Sequence, residues 1–306
     1  MTRADRRVGR FRSESARLRF FAAYDRALEA WPTRPSESDV ATSYGTTHVL
    51  AIGAGSATPI VLLPGLAVSA PSWFADAAAL SEGRRVYAVD TIGDVGRSVQ
   101  TARVRDGSDM ASWLDEVLIA LDLERVHLVG LSYGGWLTVN QAVRAPERLA
   151  SVTAVDPVGA IGRPQWTFLA GIVPDSILAS VAKSDRALHR LMRRLNNGST
   201  PRQPLLDISV AGLRTFVGKQ PFPKRLTDDE LRRVRTPALL LFCERSPVNR
   251  APRAVQRSCD LIEGATAEVV PDAGHMLPVE KPALFTDRVL DFVHEVDGRS
   301  RAATAR

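Results

Sequence analysis

The chain has 306 residues, 45% of them hydrophobic and 24% charged, a globular composition that excludes disorder. Its net charge of +6 raises the question of an anionic partner, but the arginines are scattered, with local excesses only near the N-terminus and in "RALHRLMRRL", and no nucleic-acid motif accompanies them. No apolar run reaches the ~18 residues that span a bilayer, no segment of signal-peptide type opens the chain, and two cysteines, Cys243 and Cys259, make no disulfide framework, so the expectation is a cytoplasmic protein with no nucleic-acid or membrane partner.

The length suits one large α/β domain with an insertion, or two small domains. Residues 14–31, "ESARLRFFAAYDRALEAW", place Leu18, Phe21, Tyr24, Leu28 and Trp31 at three- and four-residue spacing. That spacing predicts an amphipathic helix, ended by Pro32 and Pro35, within an N-terminal helical arm over 1–35. "DVATSYGTTHVLAIG" predicts two strands around a turn at Tyr44-Gly45. Six short apolar runs follow: "PIVLLPG" (59–65), "RRVYAVD" (84–90), "ERVHLVGLS" (124–132), "LASVTAVDP" (149–157), "TPALLLF" (236–242) and "TAEVVPD" (266–272). They are continuous rather than alternating, as in strands buried on both faces of a parallel sheet. Helix candidates lie between them: "SWFADAAALS", "SDMASWLDEVLIALD", "GGWLTVNQAVRA" and "RAPRAVQRS", with "PALFTDRVLDFVHEV" last. The alternation predicts an α/β protein with a doubly wound, mostly parallel sheet. The rhythm breaks once, between "VTAVDP" and "TPALLLF". A loop of that length is rarely structureless, so a helical cap insertion is expected over 158–235, dividing the core into 36–157 and 236–297. The tail, 298–306, reads as disordered, and no internal repeat is found. Nothing in the sequence reports an oligomeric state.

The chemistry concentrates at two places. Gly130-Leu131-Ser132-Tyr133-Gly134 is a Gly-x-Ser-x-Gly directly after a buried strand and before a helix. A serine on so sharp a turn stands clear at the C-terminal edge of the sheet, and the helix N-terminus behind it favours developing negative charge. A serine hydroxyl needs a base beside it. Of five histidines, His48 and His127 fall in strand patterns and His189 and His294 in helical ones. His275, in "VVPDAGHMLPVEKP", falls on a loop between the last strand and the last helix and is the candidate base. An oxyanion needs two backbone donors. The candidates are Tyr133, after the serine, and Leu66, in the loop opened by Pro64-Gly65. "VDTIGDVGRS" lacks a phosphate-loop pattern and reads as a loop in which Asp90 and Ser98 pin local backbone. The cysteines have no metal-site spacing, and no metal is expected.

In these residues the chain resembles the α/β-hydrolase superfamily, and more narrowly the bacterial serine carboxylesterase group whose members begin with a helix ending in Trp-Pro. The resemblance runs through "AYDRALEAWP", "SYGTTHVL", "YAVDTIGDVGRS", "VGLSYGGW", "APERLASV" and "AGHMLPVEKP" in order. It implies hydrolysis of a small-molecule carboxylic ester through an acyl-enzyme, with Ser132 as nucleophile, His275 as base and no cofactor. It also implies Asp or Glu in the turn after the strand "ALLLF", where this chain has Ser246. Three answers stand. The acid is Asp156, at the end of "VTAVDP"; or it is Glu244, two residues before Ser246; or no carboxylate serves the ring, and Ser246 only hydrogen-bonds it. The irregular acid keeps two other readings open: a lyase, cyclase or acyltransferase on the same fold, or a non-catalytic binding protein. The apolar stretch "WTFLAGIVPDSIL" in the insertion points to an apolar acyl or alcohol group.

Overall fold

Each apolar run of the sequence becomes a strand. The computed structural model describes residues 7–162 and 165–304. In chain order the strands are β1 (Arg10–Phe11), β2 (Ser36–Thr42), β3 (Gly45–Ile52), β4 (Ala57–Leu63), β5 (Arg84–Val89), β6 (Val99–Gln100), β7 (Val126–Leu131), β8 (Leu149–Val155), β9 (Phe216–Val217), β10 (Ala238–Cys243) and β11 (Thr266–Val270). The helices are α1 (Glu14–Glu29), α2 (Ala77–Leu80), α3 (Gly107–Ala120), α4 (Tyr133–Arg144), α5 (Trp166–Ser180), α6 (Asp185–Leu195), α7 (Leu205–Thr215), α8 (Asp228–Arg232), α9 (Ala251–Leu261), α10 (Leu277–Glu280) and α11 (Pro282–Thr304).

Among the described residues nine strands form one sheet in the order β11-β10-β8-β7-β4-β5-β3-β2, with β6 paired to β3. From β11 to β5 every neighbour is parallel; β3 and β2 add an antiparallel edge. Every residue of β7 and β10 is buried, which is why their sequences carry no polar alternation. Successive side chains of β4 enter opposite cores. Val61 and Leu63 pack with Trp113, Leu114 and Trp136 on one face of the sheet. Ile60 and Leu62 pack with Phe20, Trp73 and Phe285 on the other.

Three local expectations are corrected. The β2–β3 register pairs Thr42 with Gly45, so the turn is Ser43-Tyr44, one residue earlier than expected. Gly45 is already in the strand at φ +133°, where an added Cβ would meet the Val99 carbonyl oxygen at 2.1 Å. In α1, Phe20, Tyr24, Ala27 and Leu28 are buried, whereas Leu18 is 57% exposed and Phe21 is half-buried. Repeated three-residue steps drift by about 60° each around a helix, so Leu18 leaves the stripe that Tyr24 and Leu28 define. Finally, α11 runs on to Thr304 where a disordered tail is expected from 298; residues 305–306 of that tail lie outside the described residues. A Glu295–Arg299 pair one turn apart and a bond from Arg125 to Ser300 Oγ (2.8 Å) hold its last turns, and alanines favour continuation.

The insertion between β8 and β10 holds α5, α6, α7, β9 and α8. Ile172, Ala179, Leu188, Leu191 and Met192 give its first two helices a small core of their own. Its two ends differ: Val158, Ala160 and Ile161, and Leu226, Leu231 and Val234, belong to the main core. β9 pairs antiparallel with β1, and Phe11 meets Phe216 edge-on at 5.0 Å between ring centroids. Asp90 and Ser98 pin backbone as expected: Ala70 and Arg97 N–H donate to the Asp90 carboxylate (2.8 and 2.7 Å), and His48 N–H donates to Ser98 Oγ (2.9 Å).

His127 is a core residue of β7. Its ring contacts Ser151 Oγ (2.7 Å) and Asp297 Oδ1 (3.1 Å), and burial pushes its pKa down to about 4. The unfolded chain takes up this proton near pH 6.5, the native chain only near 4. Stability from this group is therefore complete above about pH 6.5 and is lost as pH falls through 4, by about 3 kcal/mol in total. Urea midpoints measured from pH 7 to 4 should fall across that window, and His127→Gln should flatten the slope. An unchanged slope would remove this histidine as its source.

Candidate active site

Parallel strands bring their C-terminal ends to one edge of the sheet. Here that edge carries the Pro64–Ala67 loop after β4, Ser132 after β7, Asp156 after β8, the turn 244–250 after β10, and His275 after β11. β4 lies between β5 and β7, so successive connections leave it in opposite directions and open a crevice at its end.

Ser132 sits at φ 58°, ψ −111°, a conformation costly for any residue with a Cβ. Its N–H donates to Val155 O (2.9 Å), and its carbonyl accepts from Trp136 N (2.9 Å) and Val158 N (3.1 Å), so the turn is held from both neighbouring elements. The flanking glycines are needed for close approach. A Cβ on Gly130 would lie 2.2 Å from Gly134 O, and one on Gly134 would lie 2.0 Å from Leu63 O.

His275 Nε2 lies 2.8 Å from Ser132 Oγ, and His275 Nδ1 lies 2.5 Å from Asp156 Oδ2. Ser132, His275 and Asp156 thus form one hydrogen-bonded chain. Asp156 is wholly buried, at φ 39°, and its N–H donates to Leu241 O (2.7 Å). Two more donors complete its carboxylate. Ser246 Oγ donates to Oδ2, and Asn249 Nδ2 donates to Oδ1 at 2.9 Å. A buried carboxylate with three donors is a satisfied anion, held in one orientation. The donors are themselves held: Ser246 Oγ accepts from Val248 N (3.1 Å), and Gln165 Nε2 donates to the carbonyls of Ser246 (3.0 Å) and Asn249 (2.6 Å).

The structure brings neither of the two alternatives to the ring. Glu244 is exposed, and its carboxylate accepts from the Asp272 N–H at 2.8 Å, capping the surface loop instead of reaching the ring. The Cys243 side chain before it is buried, and the next residue along the strand turns outward. Ser246 meets the carboxylate rather than the imidazole. Asn249 was missed by the sequence reading; its only trace there is an amide in the short turn "SPVNRAP" ahead of a helix. The carboxylate that meets the His275 ring stands at the end of the neighbouring strand, β8.

The Pro64–Ala67 loop lies against the serine: a Cβ on Gly65 would stand 3.5 Å from Ser132 Cβ. Ala67, at φ 58°, donates its N–H to Asp94 Oδ2 (3.0 Å), which fixes the loop beside Leu66. Asp94 is buried, and burial pushes its pKa up to about 7. Tyr133 opens α4, where helix geometry leaves its N–H without an intrahelical acceptor. Its ring stacks on Trp136, and its hydroxyl donates to Pro221 O at 3.0 Å, tying the elbow to the insertion. Burial, reinforced by the Asp156 charge, holds the Cys243 thiol well above its usual range, so it stays protonated. Among the described residues no group of three or more His, Cys, Asp or Glu side chains is placed to hold a metal ion, and no helix is long and apolar enough to cross a membrane.

A narrow cleft runs from Gly65 and Leu131 past Val68, Leu205, Met276 and Val279. It shares Ser72, Asp76, Leu205, Pro278 and Val279 with a chamber of about 760 Å³, whose opposite wall is the segment Asn196–Leu205 of the insertion.

Comparison with known proteins agrees with this architecture. The carboxylesterase YbfK of Bacillus subtilis (strain 168) is 33% identical over 292 residues, 92% of this chain and 96% of that protein. The uncharacterized carboxylesterase nap of the same strain is 32% identical over 292 residues, 93% and 95% of the two chains. The crystal structure of naproxen esterase (carboxylesterase NP) from Bacillus subtilis superposes with a TM-score of 0.84 at 30% identity, covering 92% of this chain and 99% of that one. The sequence model of the alpha/beta hydrolase family matches residues 60–288, a span that takes in Ser132, Asp156 and His275. The chain belongs to the alpha/beta hydrolase family.

Proposed function

We propose that the protein is a serine carboxylesterase acting on a small-molecule ester. The observation that carries this reading is the chain Ser132–His275–Asp156, with the imidazole 2.8 Å from the hydroxyl it would deprotonate. Ser132 Oγ attacks the ester carbonyl while His275 Nε2 takes its proton. Asp156 stabilises the resulting imidazolium and holds its Nδ1–H. The oxyanion is received by the N–H groups of Tyr133 and Leu66, which are fixed before the reaction begins. The tetrahedral adduct then expels the alcohol, which takes the proton from His275 and leaves an acyl-enzyme. A water, deprotonated by His275, attacks that ester in turn; the carboxylic acid departs and Ser132 recovers its proton.

The insertion, read as a cap over 158–235, roofs the site in this proposal. Supporting this, its segment Asn196–Leu205 walls the chamber opposite residues that follow the Pro64–Ala67 and His275 loops. The side chains of Val68, Leu131, Leu205, Met276 and Val279, near the Ser132 elbow, give the substrate mainly apolar surroundings in this proposal. The free thiols of Cys243 and Cys259 fit a reducing compartment, and the cytoplasm is the proposed location.

The test is labelling with a fluorophosphonate, followed by a panel of aryl esters of rising chain length. Intact mass should show one adduct, mapped by peptide analysis to Ser132, and labelling should abolish turnover of the panel. Folded protein that takes no label would overturn the reading.

A further inference from the structure

Helix α5 carries apolar residues around its whole circumference. Between Gln165 and Lys183 the sequence has one charged residue, Asp175. A helix of that kind is normally buried on all sides. Here only one side is: α5 packs on α6 and α7, and Ile172, Asp175 and Ala179 are buried. The opposite side presents Ala170, Val173, Pro174, Ile177, Leu178 and Val181, all exposed. Their spacing of three and one in alternation keeps them on one face, in a stripe about 16 Å long at 1.5 Å per residue. Val173, Ile177, Leu178 and Val181 are 43% to 69% exposed, a continuous apolar face of a size that marks a contact with something else.

Cations frame the stripe. Arg190 Nη2 donates to Asp175 at 2.7 Å, and Arg194 Nε lies 3.4 Å from the same carboxylate. A Cβ on Gly171 would meet Arg194 Nη1 at 2.4 Å. Two guanidinium groups therefore border α5 along one edge. Lys183 follows directly on the stripe, and Arg186 and Arg193 are exposed on α6. Among the described residues no acid pairs with these last three. Asp185, the other acid of the segment 166–202, is engaged by Arg214.

An apolar face edged by Lys and Arg matches the boundary between acyl chains and acidic headgroups. The apolar side chains enter the layer, and the long basic ones reach back to the phosphates. A second copy of the chain fits less well, because a self-complementary contact sets these arginines against their own images. A protein partner would be held in register by hydrogen bonds, and none of the six side chains of the stripe offers a donor or acceptor.

We propose that α5 and α6 of the insertion dock on an anionic lipid surface, with Ile177, Leu178 and Val181 entering the layer and Lys183, Arg186 and Arg193 meeting its headgroups. The contact is peripheral. Among the described residues no helix is long and apolar enough to cross a membrane, and a helix lying in the surface needs no such span. The proposal suits the cytoplasmic location given above, since that leaflet is anionic, and it does not depend on the esterase reading.

Co-sedimentation of the full chain with vesicles tests it, using phosphatidylcholine alone against phosphatidylcholine with about 30% phosphatidylglycerol. At low ionic strength the anionic vesicles should be bound at least about tenfold more tightly, and added salt should narrow the difference. The pair Ile177→Ser, Val181→Ser should weaken binding to them at least about tenfold, and so should the pair Arg186→Gln, Arg193→Gln. All four sites are exposed, so the melting temperatures should stay near that of the wild type. Insertion is read directly from Ile177→Cys in a Cys259→Ser background, labelled with nitrobenzoxadiazole. The label should brighten and shift to shorter wavelength with the anionic vesicles and not with the neutral ones. This readout decides the matter if a serine variant fails to fold. No binding to the anionic vesicles, equal binding to both kinds, binding that a folded serine variant leaves intact, or a label that stays in water would each overturn the proposal. A dimer in light scattering that the serine pair dissolves would assign the face to a second copy and overturn it as well.

Discussion

Exchanging His275 for alanine should lower kcat on aryl esters by at least about 10³-fold, or about 4 kcal/mol of barrier, with a much smaller change in KM. A serine hydroxyl at neutral pH is a weak nucleophile, and the imidazole 2.8 Å away is the group positioned to take its proton. Without it the attack must proceed from the neutral hydroxyl, while binding in the cleft and the two oxyanion donors are untouched. The two residues act as one unit, so the double variant Ser132→Ala, His275→Ala should be no slower than the worse single one. Steady-state and single-turnover kinetics on folded variants check this. A His275→Ala enzyme within tenfold of wild type would make this loop histidine structural only.

Asp156→Asn should cost on the order of 10³–10⁴ in kcat, while Glu244→Gln costs little. An asparagine cannot stabilise the imidazolium, and its amide can donate to Nδ1 and so fix the wrong tautomer. Ser246 and Asn249, which donate to the native carboxylate, would face a neutral group in its place. Glu244 caps the Asp272 N–H on the surface and takes no part in this network. The obvious repair, Ser246→Asp, should lower activity rather than raise it. It restores a carboxylate where other hydrolases carry one, but sets it against the buried Asp156 and removes a donor from it. Like charges at that separation raise the pKa of one partner and leave the ring less well held. Ser246→Asp with unchanged or improved kcat, or Glu244→Gln as damaging as Asp156→Asn, would relocate the acid to the turn after β10.

The sheet was legible because parallel strands in its middle leave continuous apolar runs, and these mark β4, β5, β7, β8, β10 and β11 without help from tertiary contacts; the two-residue β6 and β9 are too short to leave one. The elbow was legible because its requirements are local: glycines two residues either side of Ser132, a strand before and a helix after. His275 was singled out by its place between the last strand and the last helix, and its ring lies against Ser132 Oγ. The acid was not decided, since Asp156 and Glu244 both follow strands at the same edge of the sheet, and only the direction of each side chain separates them. Asn249 left almost no trace, because a lone amide in a turn has the same composition whether it faces solvent or a buried carboxylate. The tail was misread for a related reason. "GRSRAATAR" is polar enough for disorder, and what keeps its residues 298–304 helical is the turn before them and Arg125 from another element. Leu18 shows the opposite fault, a three-residue rhythm read too far along a helix of 3.6.

An acid at the end of β8 changes the order in which the site can be assembled. β7, α4 and β8 are consecutive and β7 pairs in parallel with β8, so Ser132 and Asp156 belong to a single local unit of low contact order. In a chain that emerges N-terminus first, this unit and the β4 loop exist before any residue of the insertion has been made. An acid after β10 would leave the whole insertion between nucleophile and carboxylate, and any change in its length would have to be absorbed before the two could meet. Here Ser132 and Asp156 are neighbours along the chain, and the turn after β10 and the His275 loop close onto them later. The insertion can therefore lengthen, shorten or be exchanged without altering the chain distance between Ser132 and Asp156, while Ser246 and Asn249, from the turn after it, orient the carboxylate.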